Sequence, residues 1–292
     1  MESIPNFKNQ NLQNNKLFSS HKFYIMRHGE TLYNAITDKS VKYNPEYADS
    51  HLSEKGIKQA ISKQNELNEL NIELVYVSPY YRAIETMIYS LENHPNAKNI
   101  IAYVHPKIAE LAGMMHEFVL DIKKTKIDFN MNSKIRVNWS IFDEYIKNTK
   151  YGGNLFFFNN WNLIEENKKL EMSNKLNEFY EKGDIQSYKE EASRIVKERY
   201  QTKLKFESYK HAYERFIDFR NDVKNRHKDD INNDKKILII SHKLFISIST
   251  STCEFKSDEI KDVSFDCLSF DNCEIVPFIL YQLSLLFLNI LN

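Results

Sequence analysis

Two histidines and two arginines stand out in this sequence because they follow short apolar runs. Arg27 and His28 come directly after one run, Arg82 lies a few residues beyond a second, and His242 ends a third. Arginine presents a permanently charged planar fork that matches phosphate oxygens, and histidine suits nucleophilic or proton-transfer work near neutral pH. A carboxyl such as Glu110, if shielded and protonated, can supply a proton to a leaving group. This set predicts a metal-free phosphoryl-transfer site.

The elements that must position these residues are strands that alternate with helices. The apolar runs predict strands over 23–26, 74–77, 101–104 and 237–240. Ser53 is expected to cap a helix that runs to about Leu70, and further helical stripes occupy 83–91 and 206–223. This alternation predicts an α/β fold with a mostly parallel sheet. Residues just past the carboxyl ends of such strands lie at the ligand-binding edge of the sheet.

Five short motifs occur in order around the candidate residues. They are Arg27-His28-Gly29 with Glu30-Thr31 and Asn34; Leu52 with Gly56, Gln59 and Ala60; Ser78-Pro79 with Arg82-Ala83 and Thr86; Ser241-His242; and Asn272-Cys273. In this combination the sequence resembles the histidine phosphatase superfamily, in its phosphoglycerate mutase-like branch. The resemblance covers about residues 21–120 and 205–280. It implies a three-layer α/β/α sandwich around the central sheet.

The resemblance also implies a role for each matched residue. His28 would be the nucleophile that forms a phosphohistidine. Arg27, Arg82 and His242 would hold and stabilise the transferring phosphoryl group, so His242 counts as both catalytic and phosphate-binding. Asn34 is expected to donate a hydrogen bond to a phosphate oxygen.

Glu110 is the first choice for the acid that protonates the leaving group. The match to the family is looser around this residue, and Glu117 is the second choice. His116, between them, is read as a structural residue, with a pocket-lining role as the alternative. None of the histidines shows the spacing of metal ligands, so no metal is expected.

Two departures from the family pattern bear on the reaction. Lys243 stands where the family has a small residue, and it could either add affinity for an anion or point into solvent. The mutases of the family carry an Arg-x-Tyr-Gly stretch after the acid residue and downstream basic residues that grip the substrate, and no such match follows Glu110. Lys123, Lys124 and Lys126 could replace it, although a solvated basic run is the commoner meaning of such a cluster.

These departures favour a phosphomonoesterase that acts on a small phosphorylated substrate through a phosphohistidine, without a cofactor. Two alternatives stay open. One is a phosphoglycerate mutase, which would need 2,3-bisphosphoglycerate as a primer. The other is a non-catalytic scaffold on the same fold.

Composition excludes several classes of protein. The 40 Lys and Arg residues balance 40 Asp and Glu residues, so the broad basic excess of a nucleic-acid binder is missing. Cysteine is sparse and forms no C-x-x-C pair, which points to a reducing compartment and a cytoplasmic location. Whether the chain forms a homo-oligomer stays open.

We expect a single domain over residues 21–292, preceded by a polar, mobile extension at 1–20. An insertion at about 121–201 interrupts it. This stretch is polar but contains both tryptophans and the run Phe156-Phe157-Phe158, so it is expected to be partly helical and to pack over the core. Residues 275–292 carry no charge. They are interpreted as a final strand with a docked segment rather than a membrane anchor, and no membrane association is expected.

Overall fold

A six-stranded sheet lies at the centre of the protein in a computed structural model that describes residues 23–38, 43–111, 113–202, 205–227, 235–250 and 270–278. Across the sheet, a strand antiparallel to its neighbour lies at one edge and the remaining pairs are parallel. This confirms the predicted α/β fold. In chain order the strands are β1 (Phe23–Arg27), β2 (Ile72–Val77), β3 (Ile101–Val104), β4 (Arg136–Asn138), β5 (Lys236–Ser241) and β6 (Ile275–Phe278), and they lie side by side in the order β4-β3-β2-β5-β1-β6.

Helices cover both faces of this sheet because its central strands bury apolar side chains on both sides. On β1, Tyr24 and Met26 enter one core, whereas Phe23 and Ile25 enter the other. The layers are therefore helix, sheet and helix, as predicted. The described α-helices are α1 (Glu54–Ser62), α2 (Gln64–Leu70), α3 (Tyr81–Leu91), α4 (Ile122–Asn132), α5 (Ser140–Lys147), α6 (Glu166–Glu181), α7 (Ile185–Gln201), α8 (Tyr209–Arg226) and α9 (Lys243–Ser249).

The two faces divide these helices between them. Helices α1, α2 and α3 contribute to the core that contains Met26, while α8 and α9 contribute to the core that contains Ile25. Helix α3 follows β2 and α9 follows β5, so each begins close to the carboxyl edge of the sheet. Both candidate residues on these connections, Arg82 and His242, are thereby brought to that edge.

The helix predicted from Ser53 to about Leu70 is two helices. Ser53 caps the first as expected, since its hydroxyl accepts the Gly56 N–H. At Lys63 the chain leaves the regular helix, and α2 begins at the next residue. The Lys63 N–H bonds to the carbonyls of both Ala60 and Ile61, which tightens the last turn of α1. No glycine or proline marks this break, so the spacing of apolar residues suggests one continuous helix.

Residues 122–201 contain α4 to α7 and also the short strand β4. This strand pairs in parallel with β3 and extends the sheet at its edge. The sequence analysis expected a partly helical segment packed over the core and did not predict β4. The three residues of this strand have mixed exposure and show no strand pattern. Phe156, Phe157, Phe158 and Trp161 are buried in the main core, as predicted. The bounds of the insertion and of the domain stay predictions.

Some expectations fall beyond the described ranges. The extension at 1–20, Cys253, Cys267 and the segment after Phe278 all lie outside them. Cys273 lies within the described ranges, and it is a buried free cysteine. Among the residues that the structure describes, no helix has the length and apolar character needed to cross a membrane.

Two glycines allow the loop after β1 to touch the start of α1. A Cβ atom on Gly56 would lie 1.9 Å from the Glu30 carbonyl oxygen, and one on Gly29 would lie 2.7 Å from the Gly56 carbonyl oxygen. Both contacts are with backbone, which cannot swing aside as a side chain can. The glycines of two separate motifs therefore serve one close approach, directly beside His28.

Gly56→Ala should accordingly destabilise the fold by about 3 kcal/mol, as overpacking against backbone does. The measurement is the free energy of unfolding in denaturant. Gly113→Ala is the matched control, because a Cβ atom there meets nothing within 4 Å, and a change of about 0.5 kcal/mol or less is expected. Equal stability of the two variants would contradict the close approach.

Candidate active site

Three neighbouring strands deliver the candidate residues to one edge of the sheet. β5 lies between β1 and β2, and all three run in parallel. The His28 N–H donates to the Ser241 carbonyl at 3.0 Å, and the Ser78 N–H donates to the Ile240 carbonyl at 3.1 Å. The rings of His28 and His242 consequently lie 5.0 Å apart between centroids. The two histidines, 214 positions apart in sequence, share one site.

His28 is held as a neutral imidazole with one ring nitrogen free. Its Nδ1 lies 2.7 Å from the Gly29 carbonyl oxygen, which can only accept a hydrogen bond. Nδ1 therefore carries the hydrogen, and Nε2 keeps its lone pair. Burial, followed by the charges of Arg82 and Arg27, lowers the pKa of His28 well below its ordinary value. Such a ring is a nucleophile near neutral pH.

The motif residues around His28 fix this loop. The Gly29 N–H donates to Thr86 Oγ1 at 3.0 Å, and the Glu30 N–H donates to Gln59 Oε1 at 2.9 Å. From the far end of the chain, Asn272 Nδ2 donates to the His28 carbonyl at 2.8 Å. Three of the other motifs thus contribute a side chain that holds the backbone of the first one, and the Ser241-His242 motif contributes the Ser241 carbonyl.

Arg82 is a fully buried cation. Its exposed fraction is 0%, its Nη1 donates to the His116 carbonyl at 2.7 Å, and its guanidinium lies over the Tyr80 ring at 4.5 Å. Among the described residues, Nε and Nη2 have no hydrogen-bond partner and no carboxylate forms an ion pair with it. A buried charge is costly unless it is paired. The two free donors are therefore available to an anion.

Arg27 supplies a second guanidinium close to His28. The side chain is half-buried, and its Nη1 donates to the Phe270 carbonyl at 2.9 Å. Its Nε is buried without a partner in the described part of the chain. The charges of both arginines act on His28 and on His242, which places the two imidazoles in one positive region.

His242 is anchored through one ring nitrogen only. Its Nε2 lies 2.7 Å from Ser78 Oγ, whereas Nδ1 is buried and has no partner among the described residues. Burial and the charge of Arg82 lower the pKa of His242 well below its ordinary value, so the ring is neutral. Ser78 is part of a recognised motif, but nothing in the sequence predicts this contact.

The two carboxyls considered as acids both lie near Arg82. Glu110 accepts hydrogen bonds from the backbone N–H groups of Phe245 at 3.0 Å and Leu244 at 3.3 Å, so it caps α9. Burial raises the pKa of Glu110 while these bonds and Arg82 lower it, and the net shift is upward. Among the neighbouring charges that favour the ionised form of Arg27, that of Glu110 has the largest effect.

Glu117 is the more strongly shifted of the two. Burial, and then the neighbouring charge of Glu110, raises its pKa to about 8. Its Oε2 accepts from the backbone N–H groups of Gly113 and Met114, and its Oε1 lies 3.5 Å from His116 Nε2. The charge of Glu110 thus disfavours a second negative charge on Glu117. Titrations of such close groups belong to the pair rather than to either residue.

His116 lines the same region and stacks on Tyr33, with ring centroids 4.1 Å apart. Its Nδ1 is buried without a partner among the described residues, and the charges of Arg82 and His28 reach it. Sequence reasoning also missed Asp49, a buried carboxyl close to Arg82 whose pKa burial raises to about 6. No motif contains Asp49, so only the fold reveals it.

Two predicted residues are placed at the surface. Asn34 is exposed in the turn after β1, where its side chain accepts the Thr31 N–H at 3.3 Å. Its expected bond to a phosphate oxygen stays a prediction. Lys243 is exposed at the first position of α9, and its neighbour Leu244 is partly exposed. Within the described residues, no group of three or more His, Cys, Asp or Glu side chains could hold a metal ion.

Part of the chain matches a known protein family. Residues 23–115 match the model of the histidine phosphatase superfamily (branch 1). The match covers less than half of the chain, so it is this segment that is similar to the superfamily. It contains His28, Arg82 and Glu110, while His242 lies beyond it. The match supports a phosphatase function for the chain.

Solved phosphatase structures are distantly similar to this chain. An ecdysone phosphate phosphatase from Bombix mori in complex with tungstate is 13% identical, with coverage of 87% of this chain and 86% of that chain and a TM-score of 0.43. A mycobacterial glucosyl-3-phosphoglycerate phosphatase is 12% identical, with 79% of each chain covered and a TM-score of 0.38. A putative alpha-ribazole-5'-P phosphatase from Escherichia coli is 16% identical, with 78% and 76% covered and a TM-score of 0.37. No curated protein matches the sequence. Similarities this low carry no argument about function.

The raised pKa of Glu117 makes the stability of the protein depend on pH. Between the ordinary value of 4.5 and about 8, the folded chain keeps a proton that the unfolded chain releases. The free energy of unfolding contributed by this group therefore falls as pH rises through that window. Glu117→Gln stays neutral, so it should exceed the wild type at pH 8 by about 1–3 kcal/mol and match it near pH 5.

Denaturant unfolding at the two pH values measures this difference. Glu92→Gln is the control, since Glu92 is exposed and its variant should follow the wild type at both pH values. A Glu117→Gln variant that is no more stable than the wild type at pH 8 would contradict a buried, protonated Glu117.

Proposed function

We propose that this protein is a metal-independent phosphatase that transfers the phosphoryl group of a small phosphorylated substrate to His28 and then to water. The observation that carries this proposal is the buried guanidinium of Arg82, which has two free donors and forms no direct ion pair with a carboxylate among the described residues. Beside it, His28 keeps Nε2 unprotonated because Nδ1 donates to the Gly29 carbonyl. An anion-binding cation next to a neutral imidazole fits attack on a phosphate ester.

In the proposed first step, the lone pair of His28 Nε2 attacks phosphorus and the ester P–O bond breaks. The non-bridging oxygens would accept hydrogen bonds from the free donors of Arg82 and Arg27. Where Ser78 Oγ donates to His242 Nε2, the hydrogen of the neutral ring sits on Nδ1. That N–H is the fourth proposed donor to the phosphoryl group.

Glu110 is the proposed donor of the leaving-group proton. Its charge acts on both Arg27 and Arg82, so it lies beside the place where the phosphoryl group would bind. A bound phosphate dianion adds negative charge there and raises the pKa of Glu110 further. In the second step, the Glu110 carboxylate takes a proton from water, the water oxygen attacks phosphorus, and the P–N bond to His28 breaks.

Because guanidinium and imidazole groups supply the charge stabilisation, the proposed steps use no metal and no bisphosphate primer. The substrate is proposed to be a small phosphomonoester, and the cytoplasm is the proposed compartment, as the sparse cysteines suggest. Transfer from His28 to a phosphoglycerate instead of water would make the protein a mutase, and the assay below separates the two reactions.

The test is release of inorganic phosphate from a panel of phosphomonoesters in excess chelator. Wild-type protein should release phosphate, and His28→Ala should lower the rate by about 10³-fold or more, as removal of a nucleophile does. His51→Ala is the matched control, because His51 is an exposed histidine that pairs with Glu85, and it should keep its activity.

Two results would contradict the proposal. The first is activity of His28→Ala within tenfold of the wild type. The second is faster conversion of 3-phosphoglycerate to 2-phosphoglycerate, with the bisphosphate present, than release of phosphate, which would identify a mutase.

A further inference from the structure

A buried ion pair lies behind the loop that carries Glu110. Arg215 in α8 is 6% exposed, and it binds Glu207 through two parallel contacts, Nε to Oε1 at 2.6 Å and Nη2 to Oε2 at 3.0 Å. Glu207 precedes the helix and is 2% exposed, and its Oε1 also lies 2.8 Å from His211 Nδ1. None of these residues belongs to a motif of the sequence or to the proposed chemistry.

The third nitrogen of Arg215 binds the backbone of residues 107–110, which form the loop that carries Glu110 and are called the acid loop below. Nη1 donates to the carbonyl of Lys107 at 2.7 Å and to the carbonyl of Ala109 at 3.2 Å. The carbonyl between them, on Ile108, accepts from Ser241 Oγ at 2.8 Å. Three consecutive carbonyls that lead into Glu110 are thus bound by side chains.

Burial of this pair is costly in free energy, because both charges lose their water. An apolar pair could fill the same volume, yet only a planar fork can bind a carboxylate with two nitrogens and two carbonyls with the third. Lysine, a single point charge, cannot make these contacts at once. The geometry therefore does more than fill the space between α8 and the sheet.

We propose that Arg215 and Glu207 are positioning residues that set where the Glu110 carboxyl lies relative to the leaving group. This inference rests on the proposed function. Glu207 follows Phe206, whose ring lies 4.1 Å from that of Trp161, so the pair also ties the aromatic core of residues 122–201 to the acid loop. A shift of this loop would move the acid and leave His28 and Arg82 in place.

Substrates with different leaving groups distinguish a positioning role of the Arg215–Glu207 pair from a role in fold stability alone. A p-nitrophenolate leaves without a proton, whereas an alkoxide needs one in the transition state. The value of kcat/KM reports the transfer to His28, because it excludes the later hydrolysis of the phosphohistidine. We therefore compare kcat/KM for p-nitrophenyl phosphate and for glycerol 2-phosphate.

Arg215→Lys should lower kcat/KM for glycerol 2-phosphate by about 10–100-fold, a large part of what a general acid contributes. The value for p-nitrophenyl phosphate should change less than about threefold, as expected when proton donation alone is impaired. Glu110→Gln, which removes the acid itself, should show the same selective loss. Arg226→Lys is the matched control on the same helix, since Arg226 is partly exposed and pairs with Asp222 and Glu144, and it should change neither value.

Equal losses on both esters would show that the pair only stabilises the fold and would overturn the proposal. Glu207→Gln keeps the shape of the side chain, and it provides the same comparison if Arg215→Lys does not fold. A wild-type protein that hydrolyses no ester of the phosphomonoester panel would instead overturn the proposed function. Loss confined to the Arg215 and Glu207 variants, without loss in Glu110→Gln, would assign the acid to another residue and contradict the role given to the pair.

Discussion

Arg82 places a permanent positive charge inside the protein, where no described carboxylate forms a direct ion pair with it, although Glu110, Glu117 and Asp49 lie near enough to interact with its charge. A buried cation of this kind is tolerated only when surrounding groups compensate part of its cost or when a ligand completes its partners. Here one backbone carbonyl and the face of Tyr80 contact the guanidinium, while two donors stay free. Burial, and after it this charge, lowers the pKa of His28 and of His242.

The backbone serves to keep these groups near that charge. Parallel pairing of β1, β5 and β2 brings the loop of His28, the loop of His242 and the start of α3 to one edge. The contact between Gly29 and Gly56 then seats the His28 loop on α1. Glu110 caps α9, the helix that begins directly after His242, and so connects its own loop to that of His242. Packing and chemistry are therefore coupled through a few short loops.

The sequence predicts most of the strands, a mostly parallel sheet and the clustering of the histidines and arginines, because buried runs and strand-end motifs are local signals. It does not predict the break at Lys63 or the strand β4, which depend on contacts with distant elements. The choice between Glu110 and Glu117 is also beyond sequence, since their pKa values depend on burial and on each other. Asp49 and Arg215 carry no motif, and only the fold places them near the site.

The central claim is that His28 accepts the phosphoryl group, and trapping the intermediate tests it most directly. The protein would be mixed with a rapidly hydrolysed phosphomonoester, quenched in alkali, in which phosphohistidine survives, and mapped by peptide mass spectrometry. We expect a phosphate on the peptide that contains His28, and no such adduct in His28→Ala. Phosphate on another residue, or turnover without any phosphorylated protein, would contradict the account.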